Sequence, residues 1–266
     1  MDEPRTLKSG GRATQFILAS MRADYAEHYR ELYERHWWWR AREAAILDVL
    51  RAQQPTRGWK KILDVGCGDG LFFEKLAQFG EVDGIEPAEE LVSKTGAHRT
   101  RIHVGPFDGS FRTSTQFSLI LMLDVLEHMT DPAGALRHAL ALLEPQGRLV
   151  VTVPAFRALW TNHDVLNRHF TRYTKSSFLR LAQQAGLKIL TLRYFFQWLF
   201  PVKLATRFAE RLLGLQPKLP NIPAAWINSL LYRLSWMEYK ALSSLPVPFG
   251  SSLLVVGERL EISNGD

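Results

Sequence analysis

The stretch KKILDVGCGDGLF, Lys60–Phe72, decides the reading of this chain. Ile62–Val65 is a short apolar run of strand type, and it stops at a turn holding Gly66, Gly68 and Gly70. Leu71–Phe79 continues with a helix pattern that Gly80 ends. A strand, a glycine turn and a helix in that order hold a small ligand against the backbone.

The alternation runs on from there. Val82–Ile85 reads as a second strand and Glu89–Thr95 as a helix; Arg101–Val104 is a third strand and Phe117–Leu123 a fourth. The fourth is an almost unbroken apolar run, as expected of a strand buried on both faces. Asp131-Pro132 opens a helix through Leu143, with proline in its first turn. A turn at PQG leads into a fifth strand, Arg148–Val153. Thr174 caps a helix to Ala185 that Gly186 ends; LKILTLRYF and SSLLVVGER give strands six and seven. The pattern predicts a doubly wound, seven-stranded, mostly parallel α/β sheet of Rossmann-like type. Before it, residues 1–20 read as loosely structured and Met21–Leu50 as helix. The expected division is an N-terminal helical segment (1–50) covering the ligand site, a core (51–193), a helical insertion between strands six and seven (194–249), and a final strand and tail (250–266). Ligands of such sheets sit beyond the carboxyl ends of the strands. Those ends are Gly66–Gly70, Glu86, Gly105–Asp108, Asp124–His128 and Pro154–Phe156.

The chain has 266 residues, 46% hydrophobic and 23% charged, which is ordinary for a globular protein. Its net charge of +6 mildly favours anionic partners. The single cysteine, Cys67, excludes an intramolecular disulfide. The apolar core Phe16–Ala19 is too short for a signal peptide, and no apolar run is long enough to span a membrane. A cytoplasmic protein is expected, with membrane association as an option for the basic insertion.

The ligand follows from what flanks the turn. A dinucleotide fingerprint would place its third glycine at position 71, and a phosphate loop needs Gly-Lys-Ser/Thr. Neither is present. Asp64 and Asp69 are acidic, so they repel a pyrophosphate and attract an α-amino group and a sulfonium. Glu86 ends the second strand where it can accept ribose hydroxyls. From Trp37 to Val153, through ILDVGCGDG, IEP, LDVLEHMTDP and PQGRLVVTVP, the chain resembles the class I S-adenosylmethionine (SAM)-dependent methyltransferases, near the ubiquinone-pathway and small-molecule enzymes. The resemblance implies that Asp64, Gly66, Gly68 and Gly70 hold the methionine part and Glu86 the ribose. Cys67, Pro87 and Asp124 are expected beside the cofactor. Two positions depart from the family pattern: Pro106 follows Gly105, which leaves Asp108 as the nearest acid for the adenine, and Ser118 replaces an acid in strand four. Cys67 itself reads as a small buried apolar residue.

Methyl transfer mainly needs an aligned acceptor and a dry site, and a hydroxyl acceptor also benefits from a base. Asp124, Glu127 and His128 form one candidate cluster. In the similar ubiquinone-pathway O-methyltransferases an acid-x-x-Glu-His cluster here is associated with a divalent metal, but much of the family carries Glu-His without one, and no metal is expected. A second cluster is NHDVLNRHFTRY, with His163 or His169 as base and Arg172 and Tyr173 as acceptor contacts. A third is HWWWR, whose neighbouring tryptophans point about 100° apart on a helix, so that Trp39 is the candidate to meet substrate. The insertion is the fourth. Lys203, Arg207, Arg211, Lys218, Arg233 and Lys240 there oppose only Glu210 and Glu238, and this segment carries most of the net charge. Ala205, Phe208, Ala209 and Leu212 share a helical face, and a second amphipathic helix follows. Such a pair reads either as a membrane-surface element or as an ordinary lid.

The expectation is methyl transfer to a hydroxyl, less readily a carbon or nitrogen, of a small-molecule or lipid-linked acceptor, with peripheral contact to an anionic membrane. A nucleic-acid methyltransferase is the alternative. The basic charge permits it, but no Asp/Asn-Pro-Pro-Tyr-type motif follows strand four, which makes nucleic acid an unlikely partner. A non-catalytic partner protein is a third reading, against which the intact turn and Glu86 speak.

Overall fold

The computed structural model describes residues 28–216 and 220–260. The loosely structured start, the first residues of the helix expected from Met21, Lys218 and the end of the tail lie outside them.

Seven strands form one sheet: β1 (Lys61–Val65), β2 (Glu81–Glu86), β3 (Ile102–Val104), β4 (Phe117–Leu123), β5 (Leu143–Pro154), β6 (Leu187–Phe195) and β7 (Ser252–Arg259). Their spatial order is β3-β2-β1-β4-β5-β7-β6. The first five pair in parallel, and β7 lies antiparallel between β5 and β6. Side chains alternate across the sheet with the strand period of two. Leu63, Ile120 and Val151 therefore enter a core under α4 (Pro132–Leu142) and α6 (Lys175–Ala185). Ile62, Leu119, Leu121 and Val150 enter the opposite core, under α2 (Trp37–Gln53), with Trp59 and Phe196. The doubly wound, mostly parallel sheet expected from the alternation is present.

The helical segments differ more from the sequence reading. The N-terminal helix is two helices, α1 over residues 28–35 and α2. They break at His36, whose extended backbone caps α2 while its Nδ1 accepts a bond from Trp38 N at 3.1 Å. After the glycine turn only one helical turn forms, α3 (Phe73–Leu76). Gly80 returns the chain to the sheet so closely that a Cβ there would lie 2.5 Å from Trp59 O. The helix expected at Glu89–Thr95 is a single 3-10 turn, Glu89–Leu91. Ser93 N donates to Asp69 Oδ1 at 2.8 Å, and that bond holds the chain away from further helix. β5 starts at Leu143, before the expected turn, and carries Pro145–Gly147 as an irregularity with Gln146 at φ 63. α6 has its expected Thr174 cap and its Gly186 stop at φ 75.

Between β6 and β7 the chain forms α7 (Leu199–Leu213), stopped by Gly214, and α8 (Ala225–Leu242). α8 packs on α2, and α7 on the 3-10 turn Arg157–Leu159. No helix among the described residues is long and apolar enough to cross a membrane.

Candidate cofactor and acceptor site

β1 delivers Asp64 and then turns sharply, with Gly66, Gly68 and Gly70 all at positive φ. Gly66 N donates to Ile85 O at 2.8 Å, which ties the turn to β2. A Cβ on Gly66 would lie 2.8 Å from Val125 Cγ2, so this glycine is required by packing as well as by its φ of 75. A Cβ on Gly68 would meet nothing within 4 Å, so open space lies above that turn. Glu86, at the end of β2, accepts from Gly68 N and from Ala88 N, each at 2.9 Å. Burial raises its pKa. Asp64 is buried. Burial pushes its pKa up to about 7, and Glu86 adds to the rise against the pull of Arg42. A cation arriving at Asp64 would restore its charge. The open Gly68 backbone and the buried Asp64 carboxyl, whose charge a cation would favour, together fit the aminoacyl end of SAM. Cys67 is buried, with its thiol pushed far up by that burial, and is chemically inert.

β4 ends at Asp124, held at φ 56, an uncommon conformation for a residue with a side chain. Asp124 Oδ1 accepts from Thr152 Oγ1 at 3.2 Å, and Oδ2 lies 2.6 Å from Arg42 Nε. Arg42 comes from α2, is buried, and keeps its charge through Asp124 despite that burial. Its guanidinium also lies 5.7 Å from the Trp38 ring. Arg42 is the main cofactor-side residue that sequence reasoning missed. The available signal was its place one helical turn after Trp38, the spacing at which a cation and a ring on one helix meet.

Glu127 is 1% exposed, and its Oε2 has no hydrogen-bond partner. Burial, reinforced by Asp124, raises its pKa well above the ordinary range and favours the protonated form. His128 keeps solvent contact, yet partial desolvation and the ring of His169, edge-on at 4.7 Å, push its pKa down to about 4. His169 Nδ1 lies 2.8 Å from Asp164 Oδ1. Asp164 is fully buried and is gripped by Arg172 through Nε at 2.7 Å and Nη2 at 2.9 Å. Burial opposes its charge, but the bonds from His169 and Arg172 and the Thr161 amide hold its carboxyl well below the usual range. Thr161-x-x-Asp164 forms a capping box on α5 (Asn162–Leu166), which was the sequence signal for this carboxylate. Donor atoms of Glu127, His128 and His169 all lie within 4.8 Å of one another, which is close enough to share a proton or a cation. Lys203 reaches this region from α7. Burial and the nearby Arg172 lower its pKa to about 8, against the opposing pull of Asp164 and Asp124.

The other expected contacts have different placements. Arg172 is buried and spent on Asp164 and on Ala155 O, at 3.0 Å, so it offers no free guanidinium to an anionic acceptor. Tyr173 is buried and donates to Leu126 O at 3.2 Å, which makes it a brace between loops. Asp108 is exposed, and its Oδ1 accepts from Ser110 N and Oγ within its own turn. Pro87 is exposed beside Glu86. Asp69 binds Ser93 N and pairs with Arg30 of α1, so it fastens a loop. The three tryptophans diverge. Trp37 enters the core beside Trp198, Trp38 turns towards Arg42, and Trp39 lines a small cavity with His163 and Asn167. His163 is exposed and its ring contacts the Asn167 side chain.

A parallel sheet with one antiparallel strand, a glycine turn after β1 and a buried acid, Glu86, at the end of β2 define a class I methyltransferase fold. Residues 23–192 match the family model described as a methyltransferase domain. The chain belongs to this family of SAM-dependent methyltransferases. Among curated relatives it is 30% identical over 128 residues to a ubiquinone biosynthesis O-methyltransferase of Coxiella burnetii, covering 46% of this chain and 50% of that one. It is 28% identical over 226 residues to an uncharacterized 37.1 kDa transposon protein of Streptomyces fradiae, covering 76% of this chain and 62% of that one. The chain spans about half the length of the ubiquinone-pathway relative. Among solved structures, a TehB-like SAM-dependent methyltransferase of Corynebacterium glutamicum aligns with TM-score 0.51 at 18% identity, over 90% of this chain and 98% of that one. A putative methyltransferase of Haloferax volcanii, solved in complex with the Trm112 activator, aligns with TM-score 0.55 at 16% identity, over 91% and 97%. These two likenesses show the fold.

Proposed function

We propose that the chain transfers a methyl group from SAM to a hydroxyl of a small-molecule or lipid-linked acceptor in the cytoplasm. The observation that carries this reading is the buried Asp164–His169 pair, 2.8 Å apart, beside Glu127 and His128. A hydroxyl must lose its proton as its oxygen takes the methyl group, whereas a neutral amine can attack with its lone pair. Asp164 holds Nδ1 of His169 in the manner of a carboxylate that orients a general base, which leaves Nε2 as the proton acceptor. His128, with its lowered pKa, stays neutral beside it and does not repel the proton. Glu127, kept protonated, adds no competing charge. When bound, SAM supplies a methyl group already activated by its sulfonium. Asp64 would face its α-amino group and Glu86 its ribose hydroxyls, while Trp39 and His163 would close the acceptor side. Peripheral contact with an anionic membrane would suit a lipid-linked acceptor. The O-methyltransferase relative supports oxygen as the acceptor atom.

The test is a transfer assay with labelled SAM and matched hydroxyl, amine and carbon acceptors, with and without an isoprenoid tail. His169→Gln is expected to lower kcat on the hydroxyl acceptor by roughly 10²–10⁴-fold. SAM affinity should stay unchanged. Transfer confined to amines, or a variant with full activity, overturns the reading. The cluster is taken as metal-free, so dialysis against a chelator should leave the rate intact.

A further inference from the structure

The insertion is built inside out. An ordinary surface helix turns its apolar stripe towards the protein. α8 turns its polar stripe inward. Asn228 accepts from Trp37 N at 2.8 Å and donates to Arg35 O at 2.7 Å. Ser235 accepts from Trp198 Nε1 at 3.1 Å, and Tyr239 donates to Asp48 at 3.1 Å. The outward stripe is Trp226, Leu230, Leu234 and Met237, with Trp226 at 71% and Met237 at 68% exposure. Their spacing of four, four and three places them on one helical face. α7 repeats the pattern, with Phe208 at 57% and Leu212 at 83% exposure. The face formed by Ala205, Phe208 and Leu212 therefore points to solvent.

The charges sort in the same direction. Both acids of the insertion turn inward onto backbone amides. Glu210 accepts from Asn162 N at 2.9 Å, and Glu238 accepts from Gln197 N at 3.1 Å and from Trp198 N. Arg211 and Arg233 are exposed, whereas Lys240 pairs with Asp48 of α2 at 3.1 Å. Lys203 and Arg207 are not part of this surface. Lys203 reaches the acceptor site, and Arg207 donates to Arg157 O and Ala158 O at 2.8 and 2.6 Å.

We propose that the outward faces of α7 and α8 dock on an anionic lipid bilayer, with the apolar stripes entering the interface and Arg211 and Arg233 meeting the headgroups. Apolar stripes flanked by the exposed Arg211 and Arg233, with the insertion's own acids turned inward, complement such a bilayer. A second copy of the same surface would place like charges together. The proposal does not depend on the acceptor atom.

The test uses the full chain and vesicles of phosphatidylcholine, alone or mixed with phosphatidylglycerol, in co-sedimentation at low salt. The protein is expected to sediment with the mixed vesicles and not with the neutral ones, and to be released by added salt. Arg211→Glu with Arg233→Glu should weaken binding roughly 30-fold or more, from about fivefold per charge. Trp226→Ser with Met237→Ser should also weaken it, while SAM affinity, read by calorimetry, stays unchanged in both. Absence of binding to the mixed vesicles overturns the proposal, as does binding that none of these substitutions weakens. A stable dimer that ignores vesicles and dissociates in Trp226→Ser overturns it in favour of an interface between copies.

Discussion

The two halves of the site are built on different principles. Around β1 and β2 the geometry is made by backbone: Gly66–Gly70 supply the conformation, Glu86 fastens Gly68, and burial raises the pKa of Asp64. Around β4, β5 and α5 it is made by side chains, with Asp164 gripped by Arg172, His169 and Thr161. The first half holds an electrostatic need that a bound cation would meet. The second meets its needs internally and leaves one imidazole edge exposed to chemistry. A common cofactor suits the first arrangement, and a particular acceptor suits the second.

The largest expected effect lies in the side-chain half. Asp164→Ala leaves Arg172 buried without its carboxylate and should cost about 3–5 kcal/mol of stability, read from denaturant midpoints. Because the Asp164 pKa is held low in the fold, this contribution is full above about pH 4, where the unfolded carboxyl is ionised, and fades as the pH falls through the folded value. A variant as stable as the parent at pH 7 would break the contrast.

Asp64 predicts the opposite sign. Its raised pKa means that the folded, cofactor-free state keeps a proton between about pH 4 and 7, where the unfolded chain has lost it. Stability contributed by that proton declines as the pH rises through this window. Asp64→Asn should therefore stabilise the cofactor-free protein at pH 8 by up to about 3–4 kcal/mol and change little at pH 4. SAM affinity, measured by calorimetry, should fall in the same variant and lose its rise between pH 6 and 8. Loss of both stability and affinity would show that Asp64 is merely structural.

The smallest effect sharpens the cofactor half alone. Glu86→Ala would remove the bonds to ribose proposed for this carboxylate and should lower SAM affinity by roughly 1.5–3 kcal/mol. Unchanged affinity would remove Glu86 from the site.

The same contrast explains what the sequence made legible. The candidate cofactor half lies within a short span of chain, so glycine spacing and strand ends pointed to it directly. The strands were readable because each is an apolar run with clear stops; Phe117–Leu123 and Leu187–Phe195 have the expected limits. Arg42 and Lys203 were not readable as site residues, because they arrive from helices distant in sequence and only the fold brings them to Asp124 and Asp164. Arg172 looked free for a ligand because the sequence places Asp164 in the same cluster without showing that the two grip each other. The helix breaks at His36 and after Leu91 depend on single hydrogen bonds, from Trp38 N and Ser93 N, which periodicity does not report.

One feature of the sheet bears on how such a protein changes over generations. β6 and β7 stay paired from Leu187–Arg259 up to Phe195–Ser252, so the hairpin is closed on the sheet side before the insertion begins. The free energy of closing a loop grows only logarithmically, about 0.6 kcal/mol for each doubling of length. Segments of different length and surface can therefore be exchanged beyond Phe195 at little cost to the sheet. The hairpin is a socket, and lineages sharing this core can diversify what they dock to and methylate by replacing the part plugged into it.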